Sequence, residues 1–293
     1  MTKTIIVLLV LAALVGTQMV AANATDAIFR QRFGGSNGDS AYGIFVDSDY
    51  IYVMGETDSF GPNPRNLFLS IFYRTNNSHK CSIAVDLESY DMGGKVVAHG
   101  GNVYVLGETI YTGSDPRDLL LVKLDTNCGV LDAAVYDIDD DDRPLGLSIS
   151  ADGSTIFIAG GSTGAAHLLA VNTSDLSVVW ARLFRVAGGN TWVNSVAFSG
   201  NKLYVTGVTG NDLFVSRFDA TTGDHELTMV IATSDYEYGR DVVVSGGKLY
   251  VAGIYNHPVR QTEFLFMKLD PATLNLELAK TIGTSSDDEV VSL

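Results

Sequence analysis

The sequence predicts an all-β fold assembled from a repeated four-stranded unit, and three observations carry that prediction. A short apolar motif recurs as IYVMG (51–55), VYVLG (103–107), IFIAG (156–160), LYVTG (203–207) and LYVAG (249–253), its glycines 52, 53, 47 and 46 residues apart. A strand-like segment ending in a tight turn precedes each copy, and two more apolar segments follow it. A fixed period of about 50 residues marks a propeller or an array.

The first strand of each unit reads GIFVDSD, KVVAHGG, LSISADG, SVAFSGN or DVVVSGG, with Asp, Asn and Gly supplying hairpin turns. The glycine-ended motif is the second strand. The third is DLLLVKLD (118–125), DLFVSRFD (212–219) or EFLFMKLD (263–270), while the first and third copies depart from it as NLFLSIFY and HLLAVNTS. A fourth strand closes each unit: CSIAVDL, VLDAAVYDI, VVWARLF, ELTMVIA and LELAKTI. Four short strands per unit, apolar on both faces because neighbours cover both, make the blade of a β-propeller.

The pairing of Y-V-x-G-x-T with D-x-x-L-x-K-x-D, clearest in VYVLGETI and DLLLVKLD, resembles the SBBP-type β-propeller repeat of bacteria and archaea. The resemblance covers essentially all of residues 25–293. It implies a secreted or cell-surface protein and brings no catalytic residue with it.

FGGSNGDSAYGI (33–44) aligns with IGTSSDDEVVSL (282–293), so five complete repeats separate the two and a sixth begins. Two alternatives stay open. Either five blades close and the last residues are surplus, or the chain is a truncated piece of a larger propeller. An open edge also offers a route to an oligomer.

Before the repeats the chain opens MTKTIIVLLVLAALVGTQMVAANATD, with one Lys, an apolar run over 5–15 and Ala22-Asn23-Ala24 in A-x-A form. Residues 1–24 read as a signal peptide and 25–293 as the propeller domain, which predicts secretion. Contact with a membrane is expected only if that segment stays uncleaved as an anchor. Composition narrows the partners. With 34 acids against 19 bases, and the bases scattered, nucleic acid is an unsuitable partner. Such acidity suits a soluble extracellular protein that meets cations, sugars or basic surfaces.

Cys81 and Cys128 are the two cysteines, each where a third strand hands over to a fourth, in adjacent repeats. Export permits their oxidation, so a disulfide is predicted, with free thiols as the alternative.

GGSTG (160–164) fits the G-x-S-x-G nucleophile elbow, which needs a strand, a strained turn and then a helix. Here Gly160 is the third strand-ending glycine and LLAVNTS reads as another strand, so Ser162 falls in a hairpin loop. A second match, GGSNG (34–38), also sits between strands. The sialidase box S-x-D-x-G-x-T-W is missing, since SADGSTIF has Gly directly after Asp and reads as a turn.

In a propeller, the loops entering the first strand and those joining the second to the third share one face. The entering loops repeatedly carry an acid: Asp39, Asp91, Asp142, Glu237 and Asp288, with Thr191 as the exception. These acids could ring the mouth of the propeller, or each could cap its turn through local backbone N–H groups, and both can hold at once. The same face collects Tyr42, Phe60, Tyr111, Trp192, Tyr236, Tyr238 and Tyr255, and rings beside carboxylates suit a glycan or a surface-protein partner. The run DIDDDD (137–142) offers Asp137, Asp139, Asp140, Asp141 and Asp142 as hard oxygen ligands for Ca²⁺, without EF-hand spacing; a solvated loop is the alternative. The five histidines form no i, i+2 or i, i+4 ligand pair, which argues against zinc. Sequons at Asn23, Asn76 and Asn172 place the last two on the opposite face.

The reading that follows is a binding or structural module without catalysis, needing no cofactor beyond the candidate Ca²⁺. Its rival is an extracellular carbohydrate-active hydrolase or lyase using entering-loop carboxylates such as Asp39 and Asp91.

Overall fold

The computed structural model describes residues 34–293 except 62–64, 87–89, 111–116, 140, 188, 257–261, 284–287 and 289–291. The leader, Tyr111 and Asp140 lie outside the described residues. Gly34–Leu293 forms one compact unit.

Among the described residues twenty strands make five four-stranded antiparallel sheets, each meandering in chain order. The first holds β1 (Asp39–Val46), β2 (Tyr50–Thr57), β3 (Asn66–Tyr73) and β4 (His79–Val85). The second holds β5 (Tyr90–His99), β6 (Asn102–Ile110), β7 (Asp118–Asp125) and β8 (Val130–Tyr136). The third holds β9 (Arg143–Ile149), β10 (Thr155–Gly161), β11 (Ala166–Asn172) and β12 (Val178–Phe184). The fourth holds β13 (Thr191–Ser199), β14 (Lys202–Thr209), β15 (Asp212–Asp219) and β16 (His225–Ile231), and the fifth β17 (Tyr236–Ser245), β18 (Lys248–Asn256), β19 (Thr262–Leu269) and β20 (Leu276–Ile282).

The repeated glycine has a steric reason. Gly55, Gly107, Gly160, Gly207 and Gly253 each pair with a first-strand residue beside a β-bulge: Ala41, Gly93, Pro144, Val193 and Gly239. A Cβ at Gly55 would lie 1.8 Å from the Ser40 carbonyl oxygen, and one at Gly207 1.8 Å from that of Trp192. The bulge drives one backbone into the other, and only a residue without a side chain fits.

The terminal Asp of the third-strand motif closes the turn into the fourth strand. Asp125 Oδ1 accepts the N–H groups of Asn127 and Gly129, both at 2.8 Å, and Asp219 and Asp270 repeat the device with their own turns. In the third sheet Asn172 Oδ1 does the same for Ser174, so the departure from the motif preserves its role. The basic residue of the motif reaches the next sheet: Lys123 Nζ donates to the Thr173 carbonyl at 2.8 Å and Arg217 to that of Pro271 at 3.0 Å.

Four apolar layers fill the spaces between consecutive sheets. Tyr52, Leu69, Val96 and Leu120 join the first to the second, and Tyr104, Leu121, Ile158 and Leu169 the second to the third. Phe157, Leu168, Val205 and Phe214 join the third to the fourth, and Tyr204, Val215, Val251 and Met267 the fourth to the fifth. Among the described residues no such layer joins the fifth sheet to the first. Tyr42, Ile44 and Val46 of β1 are therefore exposed at 49, 47 and 41 %.

Candidate functional site

The entering loops are held by one repeated arrangement. The backbone N–H groups of Asp91, Asp142, Thr191, Glu237 and Asp288 donate to the carbonyls of Arg65, Arg117, Gly164, Asn211 and Thr262, each at the threshold of the third strand one sheet earlier. The side chains then cap the loop. Asp39 Oδ2 accepts Gly35 N–H and the Ser59 hydroxyl at 2.9 Å, while its Oδ1 accepts the Thr57 hydroxyl at 2.5 Å. Asp142 Oδ2 accepts the N–H groups of Ile138 and Asp139 at 2.7 and 3.2 Å. Glu237 accepts the Thr233 hydroxyl, and Thr191 substitutes its hydroxyl as acceptor for Val186 N–H at 3.0 Å. Asp91, Asp142 and Glu237 are buried, whereas Asp39 is exposed; the side chains of Asp39, Asp142 and Glu237 cap their turns.

The candidate aromatic residues divide into separate settings. Tyr42 donates to Glu56 Oε1 at 2.8 Å, the exposed Phe60 stacks on Phe68, and Trp192 covers Gly161. Within the set, Tyr236 and Tyr238 meet edge to face, with ring centroids 5.2 Å apart. Arg240 lies over the Tyr238 ring at 4.6 Å and donates to its hydroxyl at 2.8 Å. Tyr255, on the neighbouring strand, donates to Asp235 Oδ2 at 2.5 Å, a bond that raises its phenol pKa. Alternation along β17 puts Tyr236, Tyr238 and Arg240 on one face, and register pairs Tyr255 with Glu237 on the other face of the sheet. This end of the fifth sheet combines half-buried rings, a guanidinium and a carboxylate. Arg240 was not legible as a member, because lone surface arginines are common and only the i, i+2 spacing from Tyr238 hints at the pairing.

The acidic run is split by the fold. Asp139 Oδ2 accepts the Ser162 and Thr163 hydroxyls at 3.0 and 3.4 Å. Asp141 pairs with Arg143 at 3.0 Å and with Arg117 at 3.7 Å. Asp137 and Asp142 turn elsewhere and meet Asp118 of β7; one carboxylate oxygen from each of the three lies within 4.8 Å of the others. Asp118 escapes sequence reading because it lies 19 residues from Asp137 and belongs to the strand motif. Ser162 is fully buried, follows β10 and precedes β11, without the helix an elbow needs. At the opposite face, the Cys81 and Cys128 sulfurs are bonded, with Cα atoms 6.1 Å apart.

No protein-family model matches the chain, and no curated protein matches it in sequence. Solved structures do match in fold. Kuenenia stuttgartiensis hydrazine synthase aligns with TM-score 0.60 at 15 % identity, over 83 % of this chain and 66 % of that one. The Myceliophteria thermophila Cps50 (Swd1) β-propeller domain gives 0.56 at 10 % identity over 85 % and 75 %, and the Pseudomonas aeruginosa periplasmic gluconolactonase PpgL 0.56 at 11 % over 85 % and 73 %. The chain thus spans a little under two thirds of the hydrazine synthase chain. Sheets and neighbours together define a β-propeller. Likeness at this identity extends to the fold, which hosts enzymes and binding modules alike.

Proposed function

We propose that the protein is an exported β-propeller of SBBP-type repeats that binds a glycan or a surface protein without transforming it. The observation that carries this reading is the division of labour among its polar residues. Asp39, Asp142 and Glu237 bond groups of their own loops, and Asp91, Asp142 and Glu237 are buried, whereas Tyr236, Tyr238 and Arg240 present rings and a cation on one face at the end of the fifth sheet. Partly open rings beside hydrogen-bonding groups suit the apolar faces and hydroxyls of a sugar. For a protein partner, the exposed strip Tyr42, Ile44 and Val46 supports assembly, including self-association. Export is supported by the leader sequence and by the Cys81–Cys128 bond.

A glycan array, followed by titration of the retained glycans, tests the reading. Tyr238→Ala should weaken binding about tenfold or more, as expected for loss of a ring worth roughly 1.5 kcal/mol, and leave the melting temperature nearly unchanged. Unchanged affinity in Tyr238→Ala and Tyr236→Ala would rule out this surface.

A further inference from the structure

We propose, independently of the reading above, that Asp118, Asp137 and Asp142 hold a divalent cation, with Ca²⁺ the ion suited to their all-carboxylate donor set, against the buried imidazole of His167.

Geometry supports it first. Oxygens within 4.8 Å of one another can share a single ion at the roughly 2.4 Å bond length of Ca²⁺. Asp137 is exposed, Asp118 half-buried and Asp142 fully buried, so the cluster runs from the surface inward and leaves the outer positions to water.

The inner end shows polar groups with nothing to satisfy them. Asp142 is 0 % exposed; its Oδ2 takes two backbone N–H groups, while its Oδ1 has no hydrogen bond. His167 is likewise 0 % exposed, and neither ring nitrogen makes a hydrogen bond. Its Nε2 faces Gly160, where a Cβ would lie 2.5 Å away, and its Nδ1 points to Asp142 Oδ1 at 3.7 Å. A buried orphan acceptor beside a buried orphan imidazole is costly unless a further group completes them.

The charges agree. Arg117 is engaged with Glu108 at 3.4 Å and Asp141 at 3.7 Å, and Arg143 with Asp141. An ion at the centre relieves the repulsion among the three carboxylates.

The test is calorimetric titration of EDTA-stripped protein with CaCl₂, paired with thermal melts with and without millimolar Ca²⁺. One ion per chain should bind, and the melting temperature should rise. Asp118→Asn should weaken binding about tenfold or more and remove the shift, while Asp141→Asn, in the same acidic run but outside the cluster, should keep both. If Asp118→Asn does not fold, the exposed Asp137→Asn takes its place. No heat and no shift in the wild type, or a shift that survives Asp118→Asn and is lost in Asp141→Asn, would overturn the site. Binding of Zn²⁺ alone that depends on His167 and ignores Asp118 would overturn it equally.

Discussion

Cys81 at the start of β4 is bonded to Cys128 in the turn leaving β7, so the bridge joins the first blade to the second at the outer rim. The next two junctions are tied non-covalently near the same turn. Tyr136 donates to the Leu176 carbonyl at 2.7 Å, and Trp180 Nε1 to that of Ala220 at 3.1 Å, each reaching from one blade to the next. The disulfide is thus the covalent form of a contact the repeat makes elsewhere by hydrogen bonding.

Its loss should be felt as loop entropy. The bridge spans 47 residues, so Cys81→Ser with Cys128→Ser should cost about 4 kcal/mol on the chain-entropy model, measured by urea denaturation. Trp180→Phe, which removes one hydrogen bond from the equivalent contact, should cost only about 1 to 3 kcal/mol. Equal losses in the two variants would contradict this hierarchy.

The bulge accounts for a second prediction. Gly207→Ala would place a Cβ 1.8 Å from the Trp192 carbonyl oxygen, whereas Gly253→Ala meets Tyr238 O at 2.6 Å. Gly207→Ala should therefore be the more destabilising, by several kcal/mol in total, with unfolding midpoints as the readout. A neutral Gly207→Ala would mean that the two backbones do not press together there.

Much of this was legible in the sequence. Period, strand order and cysteine placement follow from local chemistry repeated in register, since each blade solves the same packing problem. The glycine announced itself by recurrence, but the bulge that requires it lies in a different strand and leaves no pattern of its own. The site was less legible. Asp118 joins Asp137 and Asp142 only because the entering loop of the third blade folds against the second, and the pairing of His167 with Asp142 crosses from β11 to the edge of β9. The run of consecutive aspartates was conspicuous in composition, yet alternating backbone directions sent Asp139 and Asp141 to other partners.

Turn carboxylates should set the acid limit of the fold. The Ser150 hydroxyl, then the Ser154 N–H and hydroxyl, lower Asp152 from its ordinary 3.8 to about 2. Asp175 and Asp270 are lowered as well, by bonds from the Ser177 hydroxyl and the Thr273 N–H. A folded-state pKa below the unfolded one gives stability that is present above the unfolded value and lost as pH falls through the folded one. Asp152→Asn should therefore be less stable than wild type at pH 5, and the gap should narrow between about pH 4 and 2. Denaturation midpoints at those pH values that keep a constant gap would contradict the assignment.

The most direct test of a binding propeller is the mass of its ligand. A glycan retained on the array is incubated with excess protein, released and weighed by mass spectrometry, with Asp39→Asn and Asp91→Asn run in parallel. The account predicts an unchanged mass in every sample and an affinity that falls in Tyr238→Ala. A shorter or unsaturated product, formed by the wild type and abolished by either aspartate variant, would contradict it.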